Sequence, residues 1–435
     1  MRPLSTLVSS VLALALGALA ARPSPTTLAA RDELPKYAFA HFMVGVVADY
    51  VQADWELDMR LAMDMGLDAF ALNIGKDSYN KLQLAYAYTA AETTGFKVFL
   101  SFDFAYWNND DLNTIASYLR TFAARTGQLK IGDKSFVSTF FGDGFPWRDA
   151  EAAAGVPIYA APVWGPDALN NNPNVDAGMQ WNAWPSANNQ PIDANYTTDG
   201  DLWWIQNLNG KPYMAPVSPW FFTHYSPTSF NKNWLFLSDY LWGQRWDQIL
   251  QLKPQFLEII TWNDFGESHY IGPLHPDKPS VYAGGDDGAV QWVTGMPHDG
   301  FRDVAAAYIS AFKASAPTPN ISKDELVYYY RPNPKDAPCS DPLQKPDGAD
   351  LVADAVFAIA LLTAPGTVVI TSGANAPVRI DVPAGATTVS APMGVGKQVF
   401  ALERGGAAVF SGTGLLEVSN ACTVNNFNVF VGTAF

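Results

Sequence analysis

The chain has 435 residues, 48% of them hydrophobic and 16% charged, and its 27 basic against 42 acidic side chains give a formal net charge of −15. A phosphate backbone or an anionic membrane would be repelled, so nucleic acid and membrane are excluded as natural partners and a neutral substrate fits. The length and apolar content allow two or three domains with large cores. An aromatic share of 13%, with 14 tryptophans, is ordinary core material and also what stacks on the C–H face of a pyranose ring.

In chain order, Arg2, an apolar run over 12–20 and small residues at Ala18 and Ala20 read as a secretory signal peptide over residues 1–20. The run is too short to cross a bilayer, and a secreted, extracellular protein is expected. From about residue 36, strand-like runs at 39–46, 69–74, 97–103, 136–141, 158–164, 178–183, 213–219 and 256–262 alternate with helical periodicity at 54–65, 79–94, 233–252 and 298–314. Eight such strands predict an α/β fold, a (β/α)8 TIM-type barrel over 36–318. His41, Asn73, Asp103, Trp107, Asp143, Trp164 and Trp220 stand at or just past strand ends. In a barrel those ends open on one face, so these residues are candidates for a single substrate cleft.

After Pro317 and Pro319 the character changes. Short alternating runs at 368–371, 378–382, 399–402 and 416–418, between Gly and Pro turns, predict an all-β sandwich over 323–435 that serves as an accessory domain. Cys339 and Cys422 are the only cysteines; in an oxidising compartment they are expected to pair, worth roughly 4 kcal/mol in the chain-entropy model. Asn195 and Asn320 open glycosylation sequons and are expected on exposed loops. The five histidines lack metal spacing, and residues 284–288 fit a calcium loop poorly. No phosphate or dinucleotide loop and no nucleophile elbow is found, so neither metal nor cofactor is expected.

The run from Thr261 to Tyr270 closes the eighth strand with Trp262, Asn263, Asp264, Glu267 and His269. Asp264 and Glu267 have no Lys or Arg near them in sequence between Lys253 and Lys278, so repulsion and desolvation would push their pKa values apart for acid/base work. The same spacing would let Asp264 cap a helix with Glu267 as its capping-box partner. Glycosidic hydrolysis needs such a pair, ~6.5 to 9.5 Å apart for inversion and ~5 to 5.5 Å for retention. Asp103 is a third candidate carboxylate.

The run 261–274 resembles the signature of fungal glycoside hydrolase family 71, the α-1,3-glucanases or mutanases, as do 39–45, 70–75, 100–103, 140–144, 212–220 and 298–300. The resemblance covers about 38–312. It implies a secreted barrel with a C-terminal β-domain, endo-type hydrolysis of α-1,3-glucan with inversion, and no cofactor. Asp264 and Glu267 match the family's catalytic carboxylates; the motif does not settle their roles, and Glu267 is the preferred acid. The other candidate residues are expected to contact the polysaccharide, and a monomer is expected. The competing readings are a glycosidase of another glucan linkage and a non-catalytic glycan-binding wall protein.

Overall fold

The computed structural model describes residues 35–283 and 288–435. The expected signal peptide and most of the 284–288 loop lie outside the described residues. Strands and helices alternate as β1 (Tyr37–Met43), α1 (Gln52–Asp64), β2 (Ala69–Ile74), α2 (Asn80–Thr94), β3 (Lys97–Asp103), α3 (Leu112–Ala123), β4 (Lys134–Phe140), α4 (Trp147–Ala154), β5 (Ile158–Pro162), β6 (Gly178–Met179), α5 (Asp199–Asn207), β7 (Tyr213–Val217), α6 (Leu241–Leu252), β8 (Phe256–Ile259) and α7 (Gly300–Lys313). The strands pair in parallel in the order β5-β4-β3-β2-β1-β8-β7-β6. Strands covered on both faces read as continuous apolar runs, and β2 and β7 are buried throughout for that reason.

The sheet curls. Phe136 of β4 and Phe256 of β8 are four strands apart in the sheet, yet their rings meet at 5.5 Å, and Phe39 and Phe99 join them at 5.4 and 4.7 Å from Phe136. These rings form a core inside the curl, separate from the core between strands and helices. The sheet stays open between β5 and β6, which share no ladder; Asp176 and Ala177 donate backbone N–H bonds to the Ala160 carbonyl at 2.9 and 3.1 Å. The expected strand 178–183 shrinks to two residues, too short to complete the circuit.

The expected helix over 233–252 is corrected at its start. Residues Asn233–Leu235 pair antiparallel with Phe222–His224, and the helix begins at Leu241. Trp234 stacks on Phe221 at 6.2 Å, so tertiary packing overrides the helical periodicity. Helices α3, α4 and α5 were not expected from the sequence.

Beyond the barrel-like sheet come β9 (Glu325–Tyr330), β10 (Ala355–Leu362), β11 (Gly366–Ser372), β12 (Val378–Val382), β13 (Gly385–Pro392), β14 (Gln398–Arg404), β15 (Ala407–Thr413) and β16 (Phe430–Ala434). They form two antiparallel four-stranded sheets, β13-β10-β9-β16 and β12-β11-β14-β15. The expected strand at 416–418 reduces to one bridge, Val418 to Gly396. Tyr328, Val356, Phe400 and Leu402 share a core between the sheets, with Tyr328 stacked on Phe400 at 4.3 Å. On the other face of the first sheet, Val327, Tyr329 and Ile359 join the core of the helices, so β9 and β10 are buried along their whole length. Cys339 and Cys422 form a disulfide.

Candidate active site

Strand β8 hands over to a loop that backbone bonds fold tightly on itself. Trp262 N–H donates to the His41 carbonyl at 2.7 Å, Thr261 N–H to the His269 carbonyl at 2.8 Å, and Ile271 N–H to the Thr261 carbonyl at 3.1 Å. Asn263 accepts the Met43 N–H at 2.8 Å and returns a bond to the Met43 carbonyl at 3.2 Å, tying the loop to the end of β1. Ser268 sits at φ 57°, the left-handed region that side chains other than glycine rarely adopt. That reversal puts Glu267 and His269 in contact.

The Asp264 Oδ1 accepts the Glu267 N–H at 3.1 Å, which is half of the capping-box geometry. The other half is absent: the Asp264 N–H donates to Thr261 Oγ1 at 2.8 Å, and the segment turns without forming a helix. The Glu267 side chain instead meets Lys232 Nζ at 2.5 Å and His269 Nε2 at 3.1 Å, while His269 Nε2 lies 3.8 Å from Asp264 Oδ2. Each acid keeps 21% of its side-chain surface exposed, at the mouth of the curl.

The expectation of a pair without a cation is therefore corrected. Lys232 lies on the segment after β7, which the sheet order places beside β8, so the partner is close in space and distant in sequence. Burial pushes the Asp264 carboxyl above its ordinary value and the Glu267 charge adds to this, against the pull of His269 and Lys232. Burial pushes Glu267 the same way, but the His269 hydrogen bond and the Lys232 charge outweigh it and hold the carboxyl down at about 2. The two neighbours are thus driven in opposite directions.

Asp103, 7% exposed at the end of β3, accepts the Ala105 N–H at 2.9 Å. Burial raises its carboxyl, partly offset by that bond, by the charges of His41 and Lys232, and by the Asn73 side chain. His41 reaches Glu258 Oε1 at 2.7 Å, both side chains buried, and its ring meets the edge of Trp181 at 4.8 Å. His41, Asn73, Asp103, Asn263, Asp264, Glu267 and His269 are thereby brought together.

Other candidates lie elsewhere. Trp164 and Trp262, 1% and 0% exposed, sit in the core between strands and helices. Trp220 is also buried there and donates its indole N–H to the Phe427 carbonyl at 2.9 Å. Trp107 spends its N–H on the Ile74 carbonyl at 2.8 Å. Asp143 is exposed and receives the Gly165 N–H at 3.0 Å, bracing two loops. Eight tryptophans are less than 2% exposed, so the tryptophan count mostly reports core. Sequence reasoning missed Lys232 and Glu258; for Lys232 the usable signal was that segments after neighbouring barrel strands converge.

One donor atom each from Asp264, Glu267 and His269 lie within 4.8 Å of one another, the separation a metal ion would need. The Lys232 ammonium already occupies a Glu267 oxygen, so the donor set fits proton transfer better than cation binding. A carboxylate pair of this kind at the strand ends of a curled βα sheet is the working arrangement of a glycoside hydrolase, and this chain is one. It belongs to glycosyl hydrolase family 71, whose model matches residues 34–435.

The chain is 46% identical over 424 residues to a mutanase of Penicillium rubens, spanning 96% of this chain and 93% of that protein. It is 36% identical to a glucan endo-1,3-alpha-glucosidase of Schizosaccharomyces pombe, over 92% of this chain and 95% of the relative. An ascus wall endo-1,3-alpha-glucanase of the same yeast is 30% identical, over 90% and 96%.

Proposed function

We propose that this chain is a secreted, endo-acting hydrolase of α-1,3-glucan, with Asp264 and Glu267 as its catalytic carboxylates. The observation that carries the reading is the cluster of Asp264 and Glu267 around His269 and Lys232 in a family 71 chain whose relatives are α-1,3-glucanases and a mutanase. Burial raises the Asp264 carboxyl while His269 and Lys232 hold Glu267 in its ionised form, which favours Asp264 as the donor to the leaving oxygen, the opposite of the preference drawn from the motif. His41, Asn73, Asn263 and His269 would hold sugar hydroxyls around the pair. The domains divide as a barrel-like catalytic half over 36–318, its sheet open between β5 and β6, and a β-sandwich over 323–435. Asn195 and Asn320 are both exposed, as carriers of glycans would be.

One observation favours a second reading of the stereochemistry. One oxygen of each acid lies within 4.8 Å of the other, an approach that suits the ~5 to 5.5 Å between retaining carboxyl groups better than the ~6.5 to 9.5 Å between inverting ones. Inversion in this geometry calls on Asp103 to hold the water; direct attack by Glu267 would give retention. Incubation with α-1,3-, α-1,4- and β-1,3-glucans, with the first-formed anomer followed by NMR, decides both points. Cleavage of α-1,3-glucan to β-anomers is expected. No product from it would end the proposal, and α-anomers would end inversion.

A further inference from the structure

Two exposed rings stand where packing does not require them. Tyr106 and Phe141 are 61% and 56% exposed, on the loops that follow β3 and β4. Phe141 is held at φ 57°, a conformation that costs an L residue roughly 1 to 2 kcal/mol, and Thr139 Oγ1 fixes it through its carbonyl at 2.6 Å. Strain of this kind on an exposed aromatic residue points to a use outside the fold.

Both loops are shaped by glycine. A Cβ on Gly75 would lie 3.0 Å from the Tyr106 ring, and one on Gly142 would lie 2.5 Å from the Phe104 ring. Between the loops is a cleft of about 450 Å³ lined by Phe104, Trp107, Asn108, Asn109, Asp110 and Gly142. Tyr106 and Phe141 directly precede Trp107 and Gly142, two of its walls. The site also connects to the chemistry. Phe141 touches Phe140 at 4.1 Å, Phe140 touches Trp181 at 4.7 Å, and Trp181 touches His41 at 4.8 Å, while Tyr106 lies within electrostatic reach of Lys232.

We propose that the exposed Tyr106 and Phe141 rings, with the cleft beside them, form a distal sugar subsite, taking one pyranose ring of the glucan chain whose scissile bond lies at Asp264 and Glu267. Aromatic faces meet the C–H face of the sugar, and the Asn and Asp side chains meet its hydroxyls. The inference rests on the proposed glucan activity and adds to it where the chain is gripped away from the cleaved bond. A distal grip holds a long chain across the catalytic pair, which is what internal cleavage requires.

The test uses full-length protein and soluble α-1,3-gluco-oligosaccharides. Binding is measured by calorimetry on Glu267→Gln, with and without Tyr106→Ala and Phe141→Gly; the glycine relieves the backbone while removing the ring. At least tenfold weaker binding of a long oligosaccharide is expected, with no drop in melting temperature for Phe141→Gly. In otherwise wild-type protein the same two changes are expected to raise KM on long chains at least tenfold while kcat holds, and to leave the shortest cleaved chain within twofold. Equal affinity with and without the rings overturns the subsite even if the unaltered protein cleaves α-1,3-glucan. An equal loss at every chain length overturns it too, because that is the mark of a structural role. Failure of the parent protein both to cleave and to bind α-1,3-glucan overturns the subsite and the proposed function together.

Discussion

Replacing Lys232 with Met is expected to move the acid limb of the kcat/KM profile upward. The ammonium is 2.5 Å from Glu267 Oε1 and supports the ionised carboxyl, which now sits at about 2. The His269 contact at 3.1 Å survives the change, so Glu267 does not return fully to its ordinary value. An adjacent opposite charge lowers a carboxyl by about 1 to 3 units, and the 42% exposure of Lys232 puts its share near the low end, about one unit. Losing a cation raises the pKa, so Glu267 is protonated over a wider acidic range and activity falls there. Asp264 feels the same charge, so the alkaline limb rises with it and the whole profile moves toward neutral pH. The assay is initial rate on a soluble α-1,3-gluco-oligosaccharide across the acidic and neutral range, with Lys232→Arg as the charge-keeping control. An acid limb that stays in place, or that moves equally in the Arg variant, would refute the assignment of Lys232 as the group that keeps Glu267 ionised.

Asp264→Asn and Glu267→Gln are each expected to lose activity by orders of magnitude and keep their circular dichroism; near-normal turnover would remove that residue from the pair. Asp264→Asn is also expected to melt slightly higher, because a carboxyl raised by burial is a group the fold tolerates at a cost; a lower melting temperature would contradict this. Asp201 and Arg245, both fully buried, pair at 2.7 and 2.8 Å, and Asp201→Ala should cost about 3 to 5 kcal/mol in urea unfolding by leaving the guanidinium uncompensated; a loss below ~1 kcal/mol would mean water reaches it. Burial pushes His298 down to about 4, so the unfolded chain takes up a proton near ~6.5 while the folded chain waits. Stability should therefore be complete above that value and decline by about 3 kcal/mol as pH falls to about 4. Urea midpoints that stay flat through this window would disprove the linkage.

Features carried by local pattern were legible in the sequence. β2 and β3 were read to the residue, since runs buried on both faces carry their own signal, and the carboxylate turn after β8 was found from its composition alone. Contacts that join distant segments were not legible. Lys232 was missed because a search along the chain near Asp264 cannot see the segment after β7. Trp164, Trp220 and Trp262 were read as sugar platforms because a tryptophan at a strand end looks the same whether its ring turns inward or outward. Tyr106 and Phe141 were passed over although both rings are exposed, since only the structure shows which faces are left bare. The helix expected from 233 failed where Trp234 found Phe221, a partner that periodicity does not register.

The segment before the last strand reaches back to the catalytic half. Asn428 bonds His298 at 3.0 Å and the Tyr270 hydroxyl at 3.1 Å, Phe427 accepts from Trp220, and β16 pairs with β9. These residues lie far along the chain from the catalytic turn, Asn428 standing 158 positions beyond Tyr270. The loop that carries Asp264 and Glu267 is therefore braced at its Tyr270 end by a segment of the β-sheet half, and a chain cut before Phe427 would keep its carboxylates and lose that brace.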